Sequence, residues 1–421
     1  MKVNVSRSIV VALTCACVIV VVSSLRAPHA STTKNKFDAL YASLGMPIPA
    51  QTPASGVPEK TIAQEGREKN VKLLGDLPVS QFIPVMNYFA ASMGRRCNYC
   101  HVNNNGQWDY ASDAKNEKNR ARDMIKLVLD TNKTLAQLKL DPVACYTCHR
   151  GRNSPQSVPP LPLPTPPAGG PGGAGPGGPG AGAAPGAQPQ GSPTPRPTPT
   201  PAEELIQKYI SAIGGQAAID KIKSRTATGT FMTANGATGT YELMQSSDNG
   251  YEHFTTQRGT MERGIMGNIG WERNQQGLRE LAGHDLDVLR STALLSRNLS
   301  LKEQYTRLRT AGRDKVGDRD AYVVLAARND TDAERLYFDV ETGLLLRRMT
   351  FMRTIVGTIP EQIDFEDYRD VNGVKLPFTI RVSSVDAGNP YIVRKLTEIK
   401  LNAPVDDSKF KMPVATPPKN P

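Results

Sequence analysis

The chain has 421 residues, of which 39% are hydrophobic and 22% charged, and a formal net charge of +11. That length allows about two or three domains, and the basic balance points to an acidic protein partner or to anionic lipid headgroups. Nucleic acid is excluded as a partner, because no helix-turn-helix, finger or RNP-like pattern accompanies the charge and the N-terminus reads as an export signal.

Lys2 and Arg7 precede an apolar run from Ile9 to Leu25, and Arg26 follows it. Residues 1–30 therefore read as a Sec-type signal peptide or as an uncleaved N-terminal membrane anchor. Pro28-His29-Ala30 is a poor small-x-small cleavage site, and the run is barely long enough to span a bilayer. Cys15 and Cys17 have further apolar residues after them, which argues against lipidation. The expected location is the periplasm or the outer face of the cytoplasmic membrane.

Residues 36–155 are expected to form a small, mainly α-helical unit built around two boxes, Cys97-Asn98-Tyr99-Cys100-His101 and Cys145-Tyr146-Thr147-Cys148-His149. C-x-x-C-H is the pattern of covalent haem attachment. Two thiols, Cys97 and Cys100 or Cys145 and Cys148, add to the vinyl groups of one haem. The adjoining His101 or His149 lies under the iron as proximal ligand. A redox dithiol or half a zinc site uses a CxxC pair too, but neither requires a His immediately after both pairs. The chain has six Cys, and the four outside the leader are all used by the boxes. The cofactor expectation is two covalently bound haem c.

The distal ligands are sought on the helices that precede each box. A helix is predicted from Ser80, as N-cap, to Gly94, as C-terminal stop, with Phe82, Met86, Phe89 and Met93 on one face. Met86 lies eleven residues before Cys97, far enough to fold over the first haem, whereas Met93 is too close to turn that corner. A second helix is predicted from a cap at Asp113 to about Thr131, with Ala121, Met124, Ile125 and Val128 as its apolar stripe, then a loop from Asn132 to Pro142. Met124 is the sole Met between the boxes and the natural ligand of the second iron, with His or solvent as alternatives. His/Met ligation closes both faces of an iron and favours electron transfer over an enzyme. An open distal site would instead suit a peroxidase-type enzyme. Arg95, Arg96, Arg120, Arg122, Arg150 and Arg152 surround the boxes and offer cations for propionates or plain surface charge.

The segments Leu77-Pro78, Phe82 to Phe89, Cys97 to Val102, Ala121 to Ile125 and Cys145 to Gly151 together resemble the cytochrome c subunit of photosynthetic reaction centres. The resemblance covers roughly residues 60–155. It implies a helix carrying an axial Met, a turn and a CxxCH box for each haem, with Met86 and Met124 at the axial Met positions. It also implies a redox partner in a membrane electron-transfer complex, a reaction centre among them. The best-known members carry four haems and lack a long C-terminal region, whereas this chain has two boxes and such a region.

From Val158 to Pro201, Pro and Gly make up more than half of the residues. Residues 156–202 are read as a tether between domains, part stiff and part flexible. Residues 203–421 are expected to form an α+β domain with a curved antiparallel sheet. A short helix spans Glu203 to Ile213, another Ala217 to Lys223, and a third Asp285 to Arg297. β-like runs include Arg225–Thr233, Gly239–Ser246, Ala321–Ala327, Leu336–Val340, Leu344–Phe351 and Val374–Val382, with hairpin turns at Asp339–Gly343 and Asp370–Gly373. The runs from Ala321 to Phe378 resemble the half-barrel of periplasmic lipoprotein carriers. That resemblance implies a concave apolar face for a hydrophobic ligand, the alternative being a domain used only for docking. His253 and His284 are its only histidines, and no spacing of acids singles out a catalytic pair.

Overall fold

A computed structural model describes residues 59–155, 200–328, 333–386 and 388–414. The leader expected at residues 1–30 and residues 156–199 of the tether lie outside the described residues. Among the described residues, no helix is long and apolar enough to cross a membrane.

The box-bearing region contains helices α1 (Ile62–Glu65), α2 (Val79–Met93), α3 (Asn116–Gln137) and α4 (Cys145–His149), and a two-stranded ribbon of β1 (Val102–Asn104) and β2 (Gln107–Asp109). The α2 boundaries match the predicted span, and Gly94 ends the helix in the left-handed region (φ 62°), where a residue without Cβ is least strained. Ser80 is not the cap. Pro78 is, and the Ser80 hydroxyl accepts from the His284 N–H at 3.2 Å. Asp113 does not cap α3 either. It accepts from Asn70 and pairs with Lys72, Lys118 and Arg122, and the hydrogen bonds from Asn70 and then from these cations hold its carboxyl well below the usual range. Helix α3 runs past the expected end at Thr131. Its buried Asn132 exchanges two hydrogen bonds with the Val143 backbone, at 2.8 and 2.9 Å, and so clips the loop that leads into the second box.

After the tether come α5 (Ala202–Ala212), α6 (Gln216–Ile219), six strands β3 (Ser224–Thr233), β4 (Thr238–Ser246), β5 (Asn249–Thr256), β6 (Gly259–Met266), β7 (Ile269–Asn274) and β8 (Gly277–Leu281), and then helices α7 (Gly283–Ala293), α8 (Ser296–Leu299) and α9 (Leu301–Gln304). Seven strands complete the chain: β9 (Arg307–Val316), β10 (Arg319–Ala327), β11 (Ala333–Asp339), β12 (Leu345–Thr354), β13 (Gly357–Val371), β14 (Val374–Ser383) and β15 (Tyr391–Leu401). All thirteen join one antiparallel sheet in the order 8-7-6-5-4-3-15-14-13-12-11-10-9. The chain enters at the middle, meanders outward to β8, crosses under α7–α9 to the far edge, and meanders back until β15 pairs with β3. The turn at Asn372-Gly373 has φ of 53° and 84°, the backbone that makes Asn-Gly a hairpin signal.

Strand alternation sends Ala227, Phe231, Tyr241, Leu243, Phe254, Leu336 and Phe338 to one face, where Leu205, Ile206, Tyr209 and Ile210 of α5 and Leu295, Leu299 and Leu301 pack on them. The apolar face expected to receive a hydrophobic ligand is therefore filled by the protein's own side chains. Charges are buried there as well. Glu334 accepts from Arg297 at 2.6 Å and from the Tyr305 hydroxyl at 2.9 Å, with Arg328 and Arg348 beside it. Burial works to raise its pKa, but the three guanidiniums outweigh it and bring it to about 2. Glu252 pairs with Arg394 at 3.1 Å and accepts from the Tyr241 and Thr292 hydroxyls.

Candidate functional site

Helix α2 organises the site. Its C-terminal end lies against both boxes: Gly94 leads through Arg95 and Arg96 into Cys97, and the Ser92 carbonyl accepts from the Gly151 N–H at 2.8 Å. Gly94 and Gly151 approach so closely that a Cβ on Gly94 would stand 2.2 Å from the Gly151 carbonyl oxygen.

The two histidines are oriented alike. His101 Nδ1 lies 3.2 Å from the Tyr110 carbonyl, and His149 Nδ1 lies 3.0 Å from the Arg152 carbonyl. A carbonyl oxygen only accepts, so Nδ1 carries the proton in each ring. That leaves Nε2 with its lone pair, the arrangement by which a metal-binding imidazole is fixed in one tautomer. Burial and the Lys118 charge push the His101 pKa down, which favours the neutral ring.

A cleft of about 400 Å³ lies beside the second box. It is lined by Cys145 and His149, by Met124, Ala121 and Ile125 of α3, and by Phe89 and Met93 of α2. Glu117, Arg120 and Asp123 line it too. The fold thus brings together Met124, His149 and Cys145 of the predicted set. Met124 is 41% exposed, so its side chain is not spent on the protein core. Of the first box, only Tyr99 lines this cleft. Met86 faces elsewhere, packing with Phe82 and Phe89 against Val85, Tyr88 and Ile125. Met93, set aside for the first iron, lines the second cleft. The signal was its place on the Phe82-Met86-Phe89-Met93 stripe, but periodicity does not say which box a stripe will face.

None of the four thiols is in a disulfide; Cys97 and Cys148 are exposed and Cys100 and Cys145 half-buried. Burial pushes the Cys145 thiol up to about 11 and raises Cys100 as well. A redox dithiol carries a depressed thiol, which neither Cys145 nor Cys100 shows. Among the described residues, no three His, Cys, Asp or Glu side chains converge as metal ligands would. The second box suits haem: the Cys145 thiol, a tautomer-fixed imidazole and the Met124 thioether line one cleft, and these are donor types that haem c needs.

Residues 30–160 match the family described as photosynthetic reaction centre cytochrome C subunit. The chain is 36% identical over 95 residues to the photosynthetic reaction center cytochrome c subunit of Rubrivivax gelatinosus, covering 21% of this chain and 24% of that protein. It is 39% identical over 93 residues to the subunit of the same name from Thermochromatium tepidum, covering 21% and 22%. The chain therefore spans about a quarter of the length of these curated relatives. Among solved structures, a LolA superfamily protein from Nitrosomonas europaea aligns with 50% of this chain and 98% of its own, at 12% identity and a TM-score of 0.37. A DUF1329 family protein from Desulfovibrio piger aligns with 50% and 97%, at 11% identity and the same TM-score of 0.37. Likeness at that level carries no functional information. The box-bearing part of the chain, residues 30–160, is thus similar to the photosynthetic reaction centre cytochrome C subunit family, and the large sheet lies outside that match.

Proposed function

We propose that residues 36–155 form an extracytoplasmic two-haem c-type cytochrome domain whose work is electron transfer rather than catalysis. Cys97 and Cys100 hold one haem and Cys145 and Cys148 the other. His101 and Met86 would hold the iron of the first, and His149 and Met124 that of the second. The observation that supports this best is the apolar cleft lined by Met124, Cys145 and His149, with His149 Nε2 left free. Held by an imidazole and a thioether, haem would supply one-electron chemistry at a raised reduction potential. The chain's own residues supply the rest. The Nδ1 bonds keep each ring in one tautomer and aimed, Phe89, Met93 and Ile125 exclude water from the cleft, and Arg120 offers a cation for a propionate carboxylate. The partner is a redox protein in a membrane electron-transfer complex, of which a reaction centre is one, and the +11 charge suits an acidic docking face.

A pyridine haemochrome assay on the exported protein tests this. Two haem c per chain, resistant to acidified organic solvent, are expected, and Cys145→Ala with Cys148→Ala should leave one. A colourless protein, or one whose porphyrin extracts, ends the reading.

A further inference from the structure

One hairpin tip in the sheet departs from the usual chemistry of exposed turns. Strands β12 and β13 pair as far as Thr354 and Gly357, leaving the two-residue loop Ile355-Val356. Such loops favour Asn, Asp and Gly, which suit turn backbone and water. Here both residues are β-branched and apolar, and they are 1% and 0% exposed. A polar turn would face solvent, so this one is made to be covered. Its backbone is satisfied within the turn: the Thr354 hydroxyl donates to the Gly357 carbonyl at 2.7 Å and accepts from the Val356 N–H at 3.3 Å.

The cover comes from the box-bearing region. Ile355, Val356 and Ile359 share a cluster with Ile62, Leu77, Val85, Tyr88 and Ile125, and Met86, Phe89, Ala144 and Cys145 pack against it. No residue of the first box belongs to that cluster. Gly357 then makes the closest approach. A Cβ there would stand 2.6 Å from the Tyr88 hydroxyl and 2.9 Å from the Ala144 Cβ, and its φ of 144° suits glycine. The Tyr88 hydroxyl in turn accepts from the Tyr146 N–H at 3.4 Å, inside the second box. Ala144 is the N-cap of α4, and its own N–H donates to the Thr147 hydroxyl at 3.0 Å. The tip therefore touches the two residues that hold the start of α4.

We propose that the Ile355-Val356-Gly357 tip of the sheet is a positioning element for the second box, seating Tyr88 and Ala144 and through them fixing Cys145–His149 against α2 and α3. The inference rests on the reading of that box as a haem attachment site. It gives the sheet a role in the redox chemistry that a tethered docking module would lack. Groups that orient a metal's ligands and exclude solvent from it tune its potential, so the second centre answers to the tip through Tyr88 and Ala144, and the first only through Met86, which packs against the same cluster.

The test uses the full chain and three variants, Gly357→Ala, Val356→Asn and Tyr88→Phe. Two readouts are followed: amide hydrogen exchange across residues 144–149 and 97–101, and the two midpoint potentials by spectroelectrochemistry. Gly357→Ala and Val356→Asn should speed exchange at residues 144–149 by at least about tenfold while 97–101 stays as in the wild type. One of the two potentials should shift clearly more than the other. Tyr88→Phe keeps the packing and removes the acceptor, so it should give the same pattern at smaller size. If Val356→Asn fails to fold, the other two still decide. Unchanged exchange and unchanged potentials in the folded variants, or equal changes at both boxes, would overturn the proposal. A wild type without haem defeats the two-haem reading itself, whereas two haems with tip-independent exchange and potentials defeat only the positioning role.

Discussion

At the scale of single residues, the two boxes differ less in their histidines than in what faces them. Both imidazoles are held by a backbone carbonyl at Nδ1, so the ring that meets an iron is set before any cofactor is considered. Met124 is the informative partner, because it is 41% exposed and on a helix. Replacing an exposed helical Met by Ala leaves packing nearly intact, within ~0.5 kcal/mol. Met124→Ala should therefore leave the melting of the chain unchanged while lowering one midpoint potential and altering the visible spectrum, through loss of the thioether. A variant with wild-type potentials and spectrum would remove Met124 from the ligand set. Met86 poses the opposite problem. It packs into the shared apolar cluster, so Met86→Ala mixes a packing loss with any ligand loss and is the poorer probe.

At the scale of elements, α2 connects the parts: its first turn meets α7, its middle meets the hairpin tip, and its end meets both boxes. Two helix-ending glycines separate strain from crowding. A Cβ on Gly66 (φ 67°) would have nothing within 4 Å, whereas a Cβ on Gly94 (φ 62°) would stand 2.2 Å from the Gly151 carbonyl oxygen. Gly66→Ala should cost about 1 kcal/mol from backbone strain alone. Gly94→Ala must in addition displace the backbone just after the second box, so it should cost clearly more in denaturant melts and disturb the second haem's spectrum. Equal costs for the two would mean that the approach of α2 to Gly151 is not tight in solution. The helix signals were legible in the sequence, Gly94 above all. The capping roles given to Ser80 and Asp113 were not, because each has a distant partner, His284 in one case and Asn70, Lys72 and Arg122 in the other, that local pattern cannot reveal.

At the scale of the whole molecule, the box-bearing region and the sheet meet at the hairpin tip and again where Glu59 and Ser80 face α7. There His284 pairs with Glu361 at 3.3 Å, and Glu59 Oε1 accepts from the Ser80 N–H at 2.7 Å while its other oxygen is buried. Asp285, which also binds Arg279, and Asp287, beside Arg290, complete the charges on α7. Burial raises the Glu59 pKa, and Asp285 adds to the rise. Burial lowers that of His284, but Glu361, Asp285 and Asp287 outweigh it, so it ends raised. Both groups hold their protons more tightly when folded than unfolded, so both contribute stability that is lost as pH rises: Glu59 above its ordinary value of 4.5, His284 above its ordinary value of 6.5. Amide exchange in the first turns of α2 and α7, corrected for intrinsic rates, should therefore quicken as pH climbs from about 5 to 8. Glu59→Gln should remove part of that dependence and His284→Gln most of the remainder. A flat wild-type profile would show that this contact does not titrate.

By itself the sequence determined the local signals. Two CxxCH boxes are legible by their spacing, the Phe82-Met86-Phe89-Met93 stripe declares a helix by its period, and Asn372-Gly373 declares a hairpin by its backbone needs, because each of these signals lies within a few residues. Tertiary structure alone decided which donors meet. It set Met93 and Met124 on the same cleft, filled the face of the sheet where a hydrophobic ligand was expected, and buried Ile355-Val356 beneath Tyr88. Those outcomes depend on contacts between residues up to hundreds of positions apart, and the apolar period that marks a surface for burial is the same whether its cover is a cofactor, a neighbouring helix or the tip of a distant hairpin.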